Sequence, residues 1–266
     1  MPAQDYVTTT AEALADRIDV AYARFADQAR EVGTDLRVGD WTSGEVVAHL
    51  VNVVNRYVDF DPSRLAERPR GVEEINRREL ESLAGAAMAS LLADLDAEMA
   101  RFRDRWGATS GIPLDMQLPF HGGATIDLQS GLTNLLGEYL VHGLDVARAA
   151  GRDWSVAPRD GALLVAFGTQ ILPAYVRGSN PNAVTIRFDL DGVAPLVFAL
   201  DGPALVVRAS RPDDDPDVVL AGSATGAALL FYARASTDEL DAIGLRVAGG
   251  RRPELVSLMS ELFEEP

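Results

Sequence analysis

Residues 137–151 read GEYLVHGLDVARAAG, and Glu138, His142 and Asp145 interrupt a run otherwise apolar enough to be a buried helix. The helix that carries them is expected to open near Asp127, a good N-terminal capping residue, and to stop at Gly151. At 100° per residue, Asn134, Glu138, His142 and Asp145 fall within one arc of about 80°. Leu132, Leu135, Leu136, Tyr139, Leu140, Val141, Leu144 and Val146 fill most of the remaining circumference. Helix faces that read as exposed elsewhere, such as REVGTDLR and EEINRRELES, mix in arginine, whereas this arc has none. That contrast points the arc inward; a solvated edge is the alternative.

Glu138 and His142 are four residues apart, so their side chains lie one above the other and can share one ion. A pair is a poor metal site, because a zinc-like ion takes three protein ligands and keeps a position open for chemistry. Of the three histidines, His49 lies in EVVAHLVNVV on an apolar stripe. Pattern alone favours an ordinary core histidine there over a third ligand. His121, in the glycine-rich LPFHGGATID, is left unassigned.

Working outward, a first helix is expected from Thr9 or Thr10 to about Val32, closed by Gly33. A second opens with a capping box at Thr42-Ser43-Gly44-Glu45 and runs to about Phe60. A long third helix covers GVEEINRRELESLAGAAMASLLADLDAEMARFRDRW and ends near Trp106. With the helix over 127–151 these make an antiparallel four-helix bundle. The texture changes near residue 155, which divides the chain into domains 1–155 and 156–266. In the second, a helix over about Arg159–Arg177 precedes VTIRFDLDG, PLVFALDG and ALVVRAS, whose alternation between Asp-Gly turns predicts an antiparallel meander. DVVLAG and LRVAGG add two strands, SATGAALLFYARAS a helix and ELVSLMSELF a closing helix. The fold class is α+β overall.

Composition removes several classes of function. The 266 residues have a formal net charge of −16 and a pI near 4.5, which disfavours nucleic acid and anionic membrane surfaces as partners. No run approaches the roughly 18 apolar residues of a membrane span. The start, MPAQDYVTTTAEALADR, has no basic flank followed by an apolar run, so the cytoplasm is the expected location. There is no cysteine, so any sulfur nucleophile has to come from outside the chain.

WTSGEVVAHL, followed about ninety residues later by GEYLVHGLDVARAAGR, resembles the DinB-like metal-binding bundle of the mycothiol-dependent maleylpyruvate isomerase family. The segment from VTIRFDLDG to LRVAGG is similar to that family's second domain, which is itself like sterol carrier proteins. The resemblance implies a divalent metal, zinc by its ligand types, held by His49, Glu138 and His142, with mycothiol as thiol cosubstrate. It also implies a catalytic arginine from the second domain. Arg246 in LRVAGG is the candidate, with Arg208 and Arg234 as rivals.

Two histidines and a carboxylate leave open positions on a zinc-type ion, and such an ion deprotonates a thiol that reaches it. The thiolate can then add to an activated double bond; rotation and elimination give cis–trans isomerisation, and stopping at the adduct gives transfer. Asp145, three residues after His142, is placed to accept a ring N–H or to orient water, or else to face solvent. An arginine of the second domain would bind a substrate carboxylate. The expectation is therefore an enzyme that isomerises or conjugates a small electrophile. A carrier of small apolar ligands with a structural metal is the main alternative, and a catalytically silent regulatory member a third.

Overall fold

The computed structural model describes residues 9–58, 72–106, 113–120, 124–176 and 183–259. It divides into two compact units that meet in sequence between Ser155 and Val156.

The first unit is helical. Helix α1 (Ala11–Val32) starts where Thr10 Oγ1 accepts the Ala13 amide at 3.1 Å, and it ends at Gly33, whose amide returns to the Ala29 carbonyl. Its buried residues Leu14, Ile18, Ala21, Tyr22, Phe25 and Ala29 recur at helical spacing and face one side. A two-residue hairpin, β1 (Arg37–Val38) with β2 (Trp41–Thr42), leads directly into α2 (Ser43–Val58). The capping box is formed as expected: Glu45 Oε2 accepts the Thr42 amide at 2.7 Å and Thr42 Oγ1 accepts the Glu45 amide at 3.2 Å. Phe60, and the loop after it, lie outside the described residues.

The expected long third helix is two helices, α3 (Val72–Ser82) and α4 (Met88–Trp106). Gly85 sits between them at φ 75°, a left-handed conformation that stops the helical ladder. The surrounding LAGAA keeps the helical composition going, so periodicity passes over the break. A second antiparallel pair, β3 (Gln117–Pro119) with β4 (Thr125–Asp127), precedes the next helix and has no counterpart in the sequence reading. Strands of two or three residues are too short to produce a period. Asp127 then caps α5 (Leu128–Ala149), its Oδ1 accepting the Ser130 amide at 2.7 Å. Helix α1 packs along α5 and α2 along α4, and α1 and α2 also touch α4 and α5 respectively.

The second unit begins with α6 (Pro158–Ile171), which tightens into a 3-10 turn at Leu172–Ala174, short of the expected end at Arg177, itself outside the described residues. Five strands follow: β5 (Val184–Leu190), β6 (Leu196–Asp201), β7 (Ala204–Ala209), β8 (Val218–Gly222) and β9 (Leu245–Gly249). The sheet order is β7-β6-β5-β8-β9. The meander β5-β6-β7 is antiparallel as its Asp-Gly turns predict, but β8 joins the other side of β5 in parallel, making the sheet mixed. Helix α7 (Ala224–Phe231) places Phe231 against Phe188 and Phe198, with ring centroids 5.6 and 5.5 Å apart. In place of the expected closing helix, Pro253–Leu258 forms 3-10 turns, and the rest of that segment is outside the described residues. No described helix is long and apolar enough to cross a membrane.

One close approach fixes the wall of α5. A Cβ built on Gly143 would fall inside the indole of Trp154, while the Gly143 carbonyl accepts the Gln28 side-chain amide from α1 at 3.0 Å. The neighbour is a rigid ring, so it cannot move aside as a flexible chain would. Gly143→Ala is therefore expected to cost about 1–3 kcal/mol by overpacking. Chemical denaturation would check this, and an unchanged midpoint would contradict it.

Candidate metal centre

The polar arc of α5 faces inward, toward α2. Helix α2 enters from its hairpin with Trp41 just ahead of the capping box, and His49 follows on its buried face at 5% exposure. His49 Nε2 and His142 Nε2 each lie 3.3 Å from the same atom, Glu138 Oε2. One ligand atom from each of the three residues lies within 4.8 Å of the others. The ring of Trp41 covers both imidazoles, at 5.1 Å from His49 and stacked at 6.0 Å on His142. Among the described residues His49 Nδ1 is buried without a partner, and Glu138 is the one hydrogen-bonding contact of that ring.

The separations match those between ligands of a single ion. Ligand atoms at about 2.0–2.2 Å from a tetrahedral ion stand about 3.4 Å from one another. The two 3.3 Å separations fall at that edge length. The donor set, two imidazoles and a carboxylate, is the one such ions take.

Charge in the site is strongly perturbed. Burial pushes His49 down, with Glu138 opposing, so this imidazole is neutral at neutral pH. Burial would raise the Glu138 carboxyl, but the imidazoles of His142 and His49 outweigh it and hold the group well below the usual carboxylate range. Burial would also lower His142; Asp145 and Glu138, facing its two nitrogens, raise it instead to about 9. Asp145 Oδ2 stands 3.5 Å from His142 Nδ1. A proton on His142 thus supplies positive charge between two half-buried carboxylates.

The structure brings together four residues marked in the sequence: His49, Glu138, His142 and Asp145. Asn134, noted only as part of the arc, donates to Glu138 Oε1 at 3.3 Å and to the Tyr57 hydroxyl at 3.2 Å. Tyr57 was missed, since nothing in its local pattern marks a tyrosine near the end of α2. Trp41 was quoted as part of a motif but given no role; its position just before the capping box was the available signal. Arg246 is on β9 of the second unit, exposed, with no hydrogen-bond or ion-pair partner among the described residues. Its rivals are engaged: Arg208 is paired with both oxygens of Asp214, and Arg234 donates to the Tyr232 carbonyl at 2.9 Å. His121 lies outside the described residues.

Residues 31–147 match the family model described as the mycothiol maleylpyruvate isomerase N-terminal domain. Over that stretch, which lies within the first unit, the chain is similar to this family's N-terminal domain. Two solved structures share the fold over nearly the whole length. The mycothiol-dependent maleylpyruvate isomerase superposes with a TM-score of 0.57 at 16% identity, covering 96% of this chain and 98% of its own. A histidine-to-alanine mutant of that isomerase gives 0.54 at 17% identity with the same coverage. No curated protein matches the sequence. At such identities the likeness speaks for the fold.

If the three residues hold an ion, the proton on His142 makes its uptake pH-dependent. Its pKa is raised, so at neutral pH the metal-free site holds a proton that a ligated imidazole cannot keep. Each ion bound near pH 7 is expected to release about one proton, and apparent affinity to rise about tenfold per pH unit until it levels near pH 9. Calorimetry in buffers of different ionisation enthalpy counts the protons; heats independent of the buffer would contradict the assignment.

Proposed function

We propose that the chain is a metal-dependent enzyme that uses a low-molecular-weight thiol, mycothiol by its likeness to that family, to isomerise a small unsaturated electrophile. The observation that carries the reading is the convergence of both imidazole Nε2 atoms on Glu138 Oε2, in a chain without cysteine. His49, Glu138 and His142 would hold the ion, with Asp145 orienting His142 through its other ring nitrogen. A divalent ion there, zinc by its donor set, supplies Lewis acidity that keeps a nearby thiol deprotonated at neutral pH.

The chain's own residues do the rest. Trp41 packs over both imidazoles and fixes their ring planes from one side. Arg246, exposed and without a hydrogen-bond or ion-pair partner among the described residues, is the candidate to bind a substrate carboxylate bidentately. The chemistry balances without a redox partner. The external thiolate forms a C–S bond at one end of the double bond, and the electron pair moves to the carbon skeleton. Rotation about the resulting single bond is followed by return of the pair and departure of the same thiolate. Catalysis of this kind consumes no thiol; net consumption would mark conjugation instead. Either chemistry would proceed in the cytoplasm, where such a thiol is kept reduced.

Elemental analysis of purified protein is expected to find about one divalent ion per chain, and His142→Ala to lose it, since two ligands hold an ion poorly. Wild-type protein without metal, or a His142→Ala variant that retains it, would sink the reading. Arg246→Ala is expected to raise KM for a carboxylate-bearing substrate about 10- to 100-fold, the worth of hydrogen bonds to a charged group. Steady-state kinetics with the thiol saturating would check this, and an unchanged KM would remove Arg246 from the role.

A further inference from the structure

A carboxylate can bind an ion through one oxygen or two, and the choice fixes how many positions remain for other ligands. In Glu138 the two oxygens have separate surroundings. Oε2 faces both imidazoles, while Oε1 faces the Asn134 amide at 3.3 Å, one helical turn earlier on α5. A carboxylate only accepts, so the Asn134 group that meets it must be the NH2 end. The second hydrogen of that NH2 goes to the Tyr57 hydroxyl at 3.2 Å. Tyr57 belongs to α2, the helix that carries His49, and its backbone carbonyl accepts the Trp106 indole N–H at 2.8 Å, which anchors it to α4. Asn134 is itself only 8% exposed, so its amide cannot turn to water without leaving a buried polar group unpaired.

From this arrangement we infer that Asn134, held by Tyr57, is a positioning residue that commits Glu138 to presenting a single oxygen to the ion. The inference rests on the metal-centre reading above and adds to it the reason the centre keeps a position open. With Oε1 occupied, the protein supplies three ligand atoms, and the fourth position is left for the thiol. Without Asn134, Oε1 is released toward the ion and competes for that position.

Cobalt substitution reads this directly, because four-coordinate Co2+ absorbs visible light far more strongly than five- or six-coordinate Co2+. Wild-type protein loaded with cobalt is expected to show the intense spectrum. Asn134→Leu, close in volume and unable to donate, is expected to weaken the visible bands and to lower cobalt affinity about 10- to 100-fold. Tyr57→Phe, which removes one oxygen and leaves the ring, is expected to shift both in the same direction by less. If the leucine variant does not fold, the phenylalanine variant decides. Spectra and affinities unchanged from wild type in the variants that fold overturn the inference while leaving the metal centre standing. A wild-type protein that takes up no cobalt overturns the metal-centre reading itself.

Discussion

A carboxylate largely withdrawn from water has to be compensated, and the contacts between the helices of the first unit compensate Glu138. Its two oxygens are met by imidazoles from α2 and α5 and by the amide of Asn134. Each contact recruits structure of its own. The His49 contact needs α2 placed close to α5, which the capping box and the preceding hairpin begin. The His142 contact needs a second acid, Asp145, so that its ring turns Nε2 toward Glu138. The Asn134 contact needs Tyr57 and, through the Tyr57 carbonyl, Trp106 of α4. Removing one partner of such a buried group costs far more than a surface ion pair is worth, because it leaves the rest uncompensated. The three ligands cannot therefore be treated as independent additions to a bundle.

Much of the first unit was legible because its signals are local. Capping residues at Thr10, Thr42 and Asp127, and the glycine after Val32, set helix ends to within a residue or two. The Glu138 and His142 pair was visible because four-residue spacing on a helix is also proximity in space. His49 was different: its place on an apolar stripe is shared with many core histidines, and family resemblance was what favoured the ligand reading. Asn134 and Tyr57 show where pattern stops. Their contact joins residues 77 positions apart, and no local period encodes it.

In the second unit the same limit shows in the sheet. Alternation and Asp-Gly turns specify β5, β6 and β7 because adjacent strands pair through a short turn. The parallel pairing of β8 with β5 has no such marker. It is secured by Asp217, 1% exposed just before β8, which accepts the Thr185 amide of β5 at 2.9 Å and guanidinium groups from Arg251 and Arg252. Arg252 above all, then the Thr185 amide, hold that carboxyl below the usual range. The register of β8 and the anchoring of the chain after β9 thus depend on one buried charge. One aspartate among the four of DDDPDVV gives no sign of that.

Both units use a buried carboxylate, and the difference between them bears on function. Asp217 is neutralised by arginines, whose charge is permanent and which offer no lone pair to an ion. Glu138 is neutralised by imidazoles, whose charge can be withdrawn as a proton, leaving lone pairs aimed at one point. An arginine in place of either histidine would balance the charge as well, yet offer no ligand atom. A sequence selecting only for stability has no reason to prefer the exchangeable pair, since a proton on His142 is lost as pH rises through about 9. Two imidazoles and a carboxylate facing one point are also a donor set that a divalent ion can use, which is the condition the proposed function places on this site.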